Sequence, residues 1–199
     1  MKTGTTQARP PIILRAADAA EGPALHALIS AHLEEGHLLP RTLEEVTTHA
    51  GRFVVATRGR RIVGCGDLVG LSPRVAEVRS LTVARSERKS GVGSMIVDHL
   101  RERARRDGFD KLCAFTHAPA YFIQMGFSIV PHLWLLEKVT TDCVKCPQFN
   151  HCGQYAMVAP LAKGQSRALD LTHGVSLVER PAEGHSHPPS HVAAVVGCA

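Results

Sequence analysis

The stretch from Val83 to Ser94 most constrains what this chain can fold into. It follows a strand-like run, Glu77 to Val83, and opens a helix-like run, Ser94 to Arg106. Within it, Arg88-Lys89-Ser90-Gly91-Val92-Gly93 has the form Arg-x-x-Gly-x-Gly. Between a strand and the positive end of a helix, such a loop offers converging backbone N–H groups that cradle a phosphate or pyrophosphate. Gly91 and Gly93 can take backbone angles closed to other residues and let a ligand approach the main chain. Arg88 and Lys89 add cations beside the same anion. The spacing fits neither the dinucleotide fingerprint nor the P-loop. A Gly-x-Gly turn is also ordinary helix punctuation, so the rest of the chain must decide between the two readings.

A chain of 199 residues with 44% hydrophobic and 21% charged content suits one globular domain with a sizeable core. No apolar run approaches the ~20 residues needed to span a bilayer. Met1 to Pro10 is polar and lacks the apolar core of a signal peptide, so a cytoplasmic protein is expected, without a membrane partner. The net charge of +5 calls for an anionic partner. Arg101, Arg103, Arg105 and Arg106 crowd one helix, but Asp98, Glu102, Asp107 and Asp110 interleave with them. With no aromatic platform for bases nearby, a small polyanionic cofactor is favoured over nucleic acid.

Pro11 to Ala17 reads as a first strand, and Asp18 to Glu21 has capping-box form ahead of a helix ended by Gly36. Thr42 to Ala50 is a second, short helix. Phe53–Thr57, Ile62–Leu71 and Val75–Val83 read as strands, the first two joined by a tight turn at Arg58–Arg61, so the sheet begins antiparallel. The helix after the glycine loop ends at Gly108. Lys111–Thr116 is a strand, Pro119–Met125 a helix, Phe127–Val130 a strand, and Gln154–Leu161 the last strand, after a polar, cysteine-bearing loop. These readings set the domain at residues 11–162. From 163 to 199 Gly, Pro, His and Ser accumulate, as in an appended mobile tail. Its His185, His187 and His191 admit a metal but suit a solvated segment better.

This order of elements resembles the GCN5-related N-acetyltransferases. Two motifs carry the resemblance: Arg88–Gly93, and Tyr121-Phe122-Ile123-Gln124-Met125-Gly126-Phe127, which is similar to that family's late helix-to-strand signature. It implies an α/β (α+β) fold, a mixed, mostly antiparallel sheet flanked by helices, over residues 11–162. A narrower likeness to short, stand-alone amino-acid N-acetyltransferases rests on Gly36–Arg41, Ile62–Gly66, Glu77–Leu81 and Asp142–Phe149. It implies acetyl-CoA as donor and L-glutamate as acceptor, the first step of arginine biosynthesis, with glutamine as the other candidate. Homodimer formation is compatible with these readings. Another small amine or a protein amine, or a non-catalytic acetyl-CoA sensor, are the competing functions.

The family's CoA arm pairs with the strand before the loop, here Leu81, Thr82 and Val83, by β-augmentation. Those residues, with Arg88, Lys89, Ser90, Gly91, Val92, Gly93, Ser94 and Phe122, form the expected cofactor site. Glu77 stands where many members carry a carboxylate that takes the amine proton. Glu77 and Arg79 lie two apart on a strand and share a face. Paired with Arg79, Glu77 would be a weaker base; with Arg79 on a substrate carboxylate, both would serve one pocket. Arg41, Arg79 and Lys138 are the candidate cations for an acidic acceptor, arginine offering the fork that matches a carboxylate. The family's usual proton donor is a tyrosine four residues before the helix-ending glycine, and Phe122 occupies that place. Tyr121 is expected to point about 100° away around the helix, which leaves the acid unassigned.

Cys143, Cys146 and Cys152, with His151, resemble half of a structural zinc site, but the second pair lacks the usual gap. A loop ordered by ordinary packing is the expectation, with zinc the lesser reading. Cys65 and Cys113 read as core.

Overall fold

The computed structural model describes residues 9–36 and 38–161. The tail expected from Lys163 onward, with its histidines, and His37 lie outside the described residues. Seven strands form one sheet: β1 (Ile12–Ala16), β2 (Phe53–Arg58), β3 (Arg61–Gly70), β4 (Val75–Val83), β5 (Lys111–Thr116), β6 (Ser128–Val130) and β7 (Tyr155–Pro160). Their order is β1-β2-β3-β4-β5-β7-β6. Every pairing is antiparallel except β4 with β5. That parallel pair is joined by a long crossover helix, α3 (Val92–Arg106), as parallel neighbours require.

The alternation of a strand places helices on both faces. In β2, Val54 and Ala56 join the cluster under α3, with Ile96, Val97, Leu100 and Ala104. Phe53 and Val55 point the other way, against Leu25 and Ile29 of α1 (Gly22–Ser30) and Val46 of α2 (Leu43–Thr48). Each fully buried side chain of this size contributes roughly 1.5–3 kcal/mol. Gly64 and Gly66 explain how closely α3 rides on β3. A Cβ at Gly66 would stand 2.9 Å from both Ile96 and Leu100, and one at Gly64 2.9 Å from Ile96.

The capping box at Asp18 forms as expected, its side chain taking the Ala20 N–H and Glu21 returning to the Asp18 N–H. It caps a short 3-10 turn that leads into α1, and Gly36 ends a second such turn with φ +72°. The region read as a polar loop between β6 and β7 holds a helix, α5 (Leu136–Thr141), flanked by three 3-10 turns. Leu135 is buried against Val75, Cys113, Val130 and Ala156, which anchors α5 over the β4/β5 face. The remaining helix, α4 (Pro119–Gln124), lies where the sequence put it.

Candidate active site

β4 and β5 pair only from Val75–Val78 to Lys111–Ala114. Beyond that β5 continues alongside β7, through Phe115 and Thr116, while β4 leaves it. Arg79 to Val83 therefore have no strand partner on that side among the described residues. The cause is a bulge. The β3 ladder jumps from Cys65–Thr82 to Asp67–Arg79, so Ser80 and Leu81 face Gly66 alone. Ser80 takes φ +49°, and its carbonyl accepts the Thr82 hydroxyl at 3.1 Å. The gap between the strands is an open sheet edge, able to receive an extended amide-bearing chain.

At the end of β4 the loop turns through Lys89 at φ +61° and Gly91 at φ +83° into α3. Gly91 is the N-cap and gives no side-chain cap, so the first N–H groups of a fifteen-residue helix face a cavity of about 500 Å³. Leu81, Thr82 and Val83 line this cavity, as do Arg88, Lys89, Gly91, Val92, Gly93 and Ser94. Two expected members fall elsewhere. The Ser90 hydroxyl turns back onto the Glu87 carbonyl and takes no part in the lining. Phe122 lines the neighbouring cavity, because it is buried edge-on against Tyr121 and Phe127. The Arg88 guanidinium binds Glu35 at 2.7 and 2.9 Å, so its charge is shared across the cavity. Glu87, an acid within an anion loop, is held by Arg58 at 2.9 and 3.1 Å, and Arg58 keeps its carboxyl below the usual carboxylate range.

Behind this cavity lies a larger one of about 830 Å³. Glu77 sits in its wall, only 2% exposed, beside Cys113 on β5. Lys138 from α5 donates to Glu77 Oε1 at 2.8 Å and Oε2 at 2.9 Å, and Arg79 Nε donates to Oε2. Arg79 Nη2 and Lys138 also reach Asp142, the latter at 3.0 Å. Two cations and two carboxylates thus close one network in the wall, and Glu77 and Arg79, two apart on one strand face, are paired within it. Of the roughly four acceptor positions on a carboxylate, three are taken, leaving one on Oε1. Burial and the neighbouring cations act oppositely on Asp142, and Lys138 and Arg79 prevail, holding it below its ordinary range.

Arg41 lines the same cavity. It donates to Asp67 at 3.2 Å, and Arg52 donates to the same buried carboxylate at 3.2 and 3.3 Å. All three candidate cations, Arg41, Arg79 and Lys138, therefore meet in one cavity, each already bearing a carboxylate partner.

Tyr121 joins the two spaces, since it lines both. Its rotation away from Phe122 aims it at the loop rather than away from the site. A Cβ on Gly93 would stand 3.0 Å from the Tyr121 hydroxyl, so that glycine makes the room. The hydroxyl is buried, with no partner of full hydrogen-bond geometry among the described residues and with Ser94 beside it. Burial raises its pKa, so the phenol keeps its proton at neutral pH. An orphaned phenol, an open strand edge and an uncapped helix end are together the features that a CoA thioester would occupy.

Cys143, Cys146 and Cys152 line the larger cavity as well. No group of three or more metal-donor side chains is poised to hold an ion among the described residues. No helix there is long and apolar enough to cross a membrane.

Comparison with known proteins agrees with this geometry. An uncharacterized N-acetyltransferase of Chlorobaculum tepidum is 27% identical over 148 residues, covering 74% of this chain and 96% of that one. An amino-acid acetyltransferase of Neisseria meningitidis is 28% identical over 127 residues, 62% of this chain but 29% of its own length. The structure of Neisseria gonorrhoeae N-acetylglutamate synthase, complexed with coenzyme A and N-acetyl-glutamate, superposes with TM-score 0.70 at 23% identity, over 78% of this chain and 36% of that one. Rv2747 from Mycobacterium tuberculosis, in a complex with CoA, gives TM-score 0.65 at 22% identity, over 75% and 99%. At those identities the structural likeness speaks for the fold. The sequence profile of the acetyltransferase (GNAT) family matches residues 23–127, and the chain belongs to that family.

Proposed function

We propose that this acetyltransferase moves the acetyl group of acetyl-CoA onto the α-amine of an amino acid, L-glutamate being the acceptor the site fits best. The observation that carries the reading is the meeting of Arg41, Arg79 and Lys138 in one cavity, which shares Tyr121, Leu38 and Leu81 with the cavity of the anion loop. Names of relatives point the same way: amino-acid acetyltransferase in Neisseria, and an N-acetylglutamate synthase among the similar folds.

In this reading the open edge at Leu81–Val83 pairs with the pantetheine amides. The N–H groups at the start of α3, with Arg88 and Lys89, hold the pyrophosphate. CoA brings the activated thioester; the chain supplies position and proton handling. Arg41, Arg79 and Lys138 hold the acceptor's carboxylates. The remaining acceptor position on Glu77 Oε1 takes the amine proton, directly or through a water. The Tyr121 phenol, kept protonated by its burial, supplies a proton to the leaving thiolate. Arginine biosynthesis is the route such a product would enter.

A thiol-release assay over the common amino acids tests the proposal. Glutamate should give the highest kcat/KM, with glutamine second. Turnover of peptide amines or polyamines in preference to any amino acid would overturn it.

A further inference from the structure

The acetyl transfer just described uses none of the three thiols in the larger cavity. The two cysteines in the sheet are poor reagents: burial raises the Cys65 thiol to about 12 and Cys113 further still. Cys143 and Cys146 are only partly covered, and Cys152 is exposed. Cys143 opens a 3-10 turn, Cys143–Lys145, and the Cys146 N–H donates to the Cys143 carbonyl at 3.0 Å. A turn closed in this way keeps its first and fourth Cα atoms within about 7 Å. Side chains three apart on such a turn lie one above the other. A disulfide asks for Cα atoms about 4.4–6.8 Å apart, so the backbone already stands near the required geometry.

The neighbour that matters is Asp142. It immediately precedes Cys143 and accepts from both Arg79 and Lys138, the cations that hold Glu77. A bond between the two sulfurs would pull on the backbone at Cys143 and hence on that carboxylate.

We propose that Cys143 and Cys146 are a reactive thiol pair at the acceptor cavity, closed to an intramolecular disulfide by a small disulfide oxidant, and that closure disturbs the Asp142 contacts of the acceptor site. The chemistry balances. The Cys146 thiolate attacks one sulfur of the oxidant, forming a mixed disulfide and expelling one thiolate. Cys143, deprotonated, then attacks the Cys146 sulfur and expels the second. Two protein thiols are oxidised, the oxidant's S–S bond is reduced to two thiols, and the two protein protons end on them. Burial raises the Cys143 thiol despite Lys138 nearby, so less of it is thiolate at neutral pH and closure should quicken as pH rises.

The test uses the full chain, treated with excess oxidised glutathione and, in parallel, with dithiothreitol. Intact mass should show loss of two hydrogens, and peptide mapping should join Cys143 to Cys146. Cys152→Ser should close like the parent, whereas Cys143→Ser should stop at a glutathione adduct on Cys146. The oxidised parent should show an acceptor KM raised about tenfold, one charge-assisted hydrogen bond's worth, with the acetyl-CoA KM held and both restored by reductant. Adducts without a cross-link in the parent, or a cross-link through Cys152, would overturn the pair. An unchanged acceptor KM in the cross-linked protein would overturn its coupling to the site. The mass readout is independent of which amine is acetylated, so failure of the glutamate reading would show separately.

Discussion

Glu77→Gln is the sharpest perturbation of the proposed mechanism. Glutamine keeps the volume but removes the charge, and its amide turns one acceptor into a two-proton donor. Lys138, which reaches both Glu77 oxygens at 2.8 and 2.9 Å, and Arg79 would then share Asp142 as their one remaining carboxylate in the network. Breaking a fully buried pair costs about 3–5 kcal/mol. Here Arg79, Lys138 and Asp142 are 20%, 14% and 37% exposed, so water takes up part of the loss. About 1.5–3 kcal/mol is expected, the range for hydrogen bonds to charged groups. For a protein of this size that lowers Tm by roughly 3–12 °C. Loss of a general base lowers kcat by about 10²–10⁴-fold, a far larger effect than the fold would suffer. The assay is steady-state thiol release from pH 6 to 10, beside a thermal melt. The variant's kcat should recover part of its loss as pH rises, because solvent then supplies neutral amine without help. Acetyl-CoA binding should change little. A kcat within about threefold of the parent at neutral pH would refute the reasoning and leave Glu77 as an anchor for Arg79 and Lys138.

Tyr121→Phe removes the phenol that stands between the two cavities; kcat should fall by about 10²-fold with the acetyl-CoA KM held, and equal losses in both would mean the ring only supports the loop. Asp67→Ala removes the buried carboxylate between Arg41 and Arg52, which are 12% and 32% exposed, and leaves Arg41 its Glu45 pair; a loss of about 1.5–3 kcal/mol by urea denaturation is expected, and a loss under about 0.5 kcal/mol would show that the pairing contributes little. Acid stability should carry the mark of Glu21, whose pKa the Arg15 side chain pulls to about 2. Because the folded value lies below the unfolded one near 4.5, that contribution is complete above about pH 4.5 and fades as pH falls toward 2. Glu21→Gln should flatten that part of the stability curve, and an unchanged slope between pH 4.5 and 2 would argue that the Arg15 pair does not persist in solution.

What was legible in the sequence was local. The capping box, the glycine loop, the long crossover helix and the shared face of Glu77 and Arg79 each depend on neighbours a few residues apart. The chain between β6 and β7 reads as loop because Leu136–Thr141 makes fewer than two turns, with β-branched residues and little apolar periodicity. Asp142 enters the sequence reading only as the first residue of a motif, since its part in the network depends on α5 docking over β4. The Arg41–Asp67–Arg52 cluster joins residues 26 and 15 positions apart, and no local spacing announces such a pairing. Around its helix Tyr121 reads as about 100° from Phe122, which by itself leaves the proton donor unassigned. Which way that angle faces is set by α4 lying beside the start of α3, and by the space that Gly93 leaves there. Ser90 and Phe122 were drawn into the cofactor set by adjacency in the motif, whereas a hydroxyl turned inward and a ring packed on Phe127 remove them from the loop cavity.

The parting of β4 from β5 has a dynamic consequence. Four parallel pairings carry the strand-to-strand link between β1–β4 and β5–β7, and they stop where the bulge at Ser80 begins. Backbone amides from Arg79 to Val83 that point into the gap should exchange with solvent far faster than those of the Val75–Val78 ladder beside them. A ligand lying there would behave as an eighth strand for as long as it stayed. Amide protection would rise in that short segment first, and the melting temperature of the protein would climb with the concentration of the molecule that fills the seam.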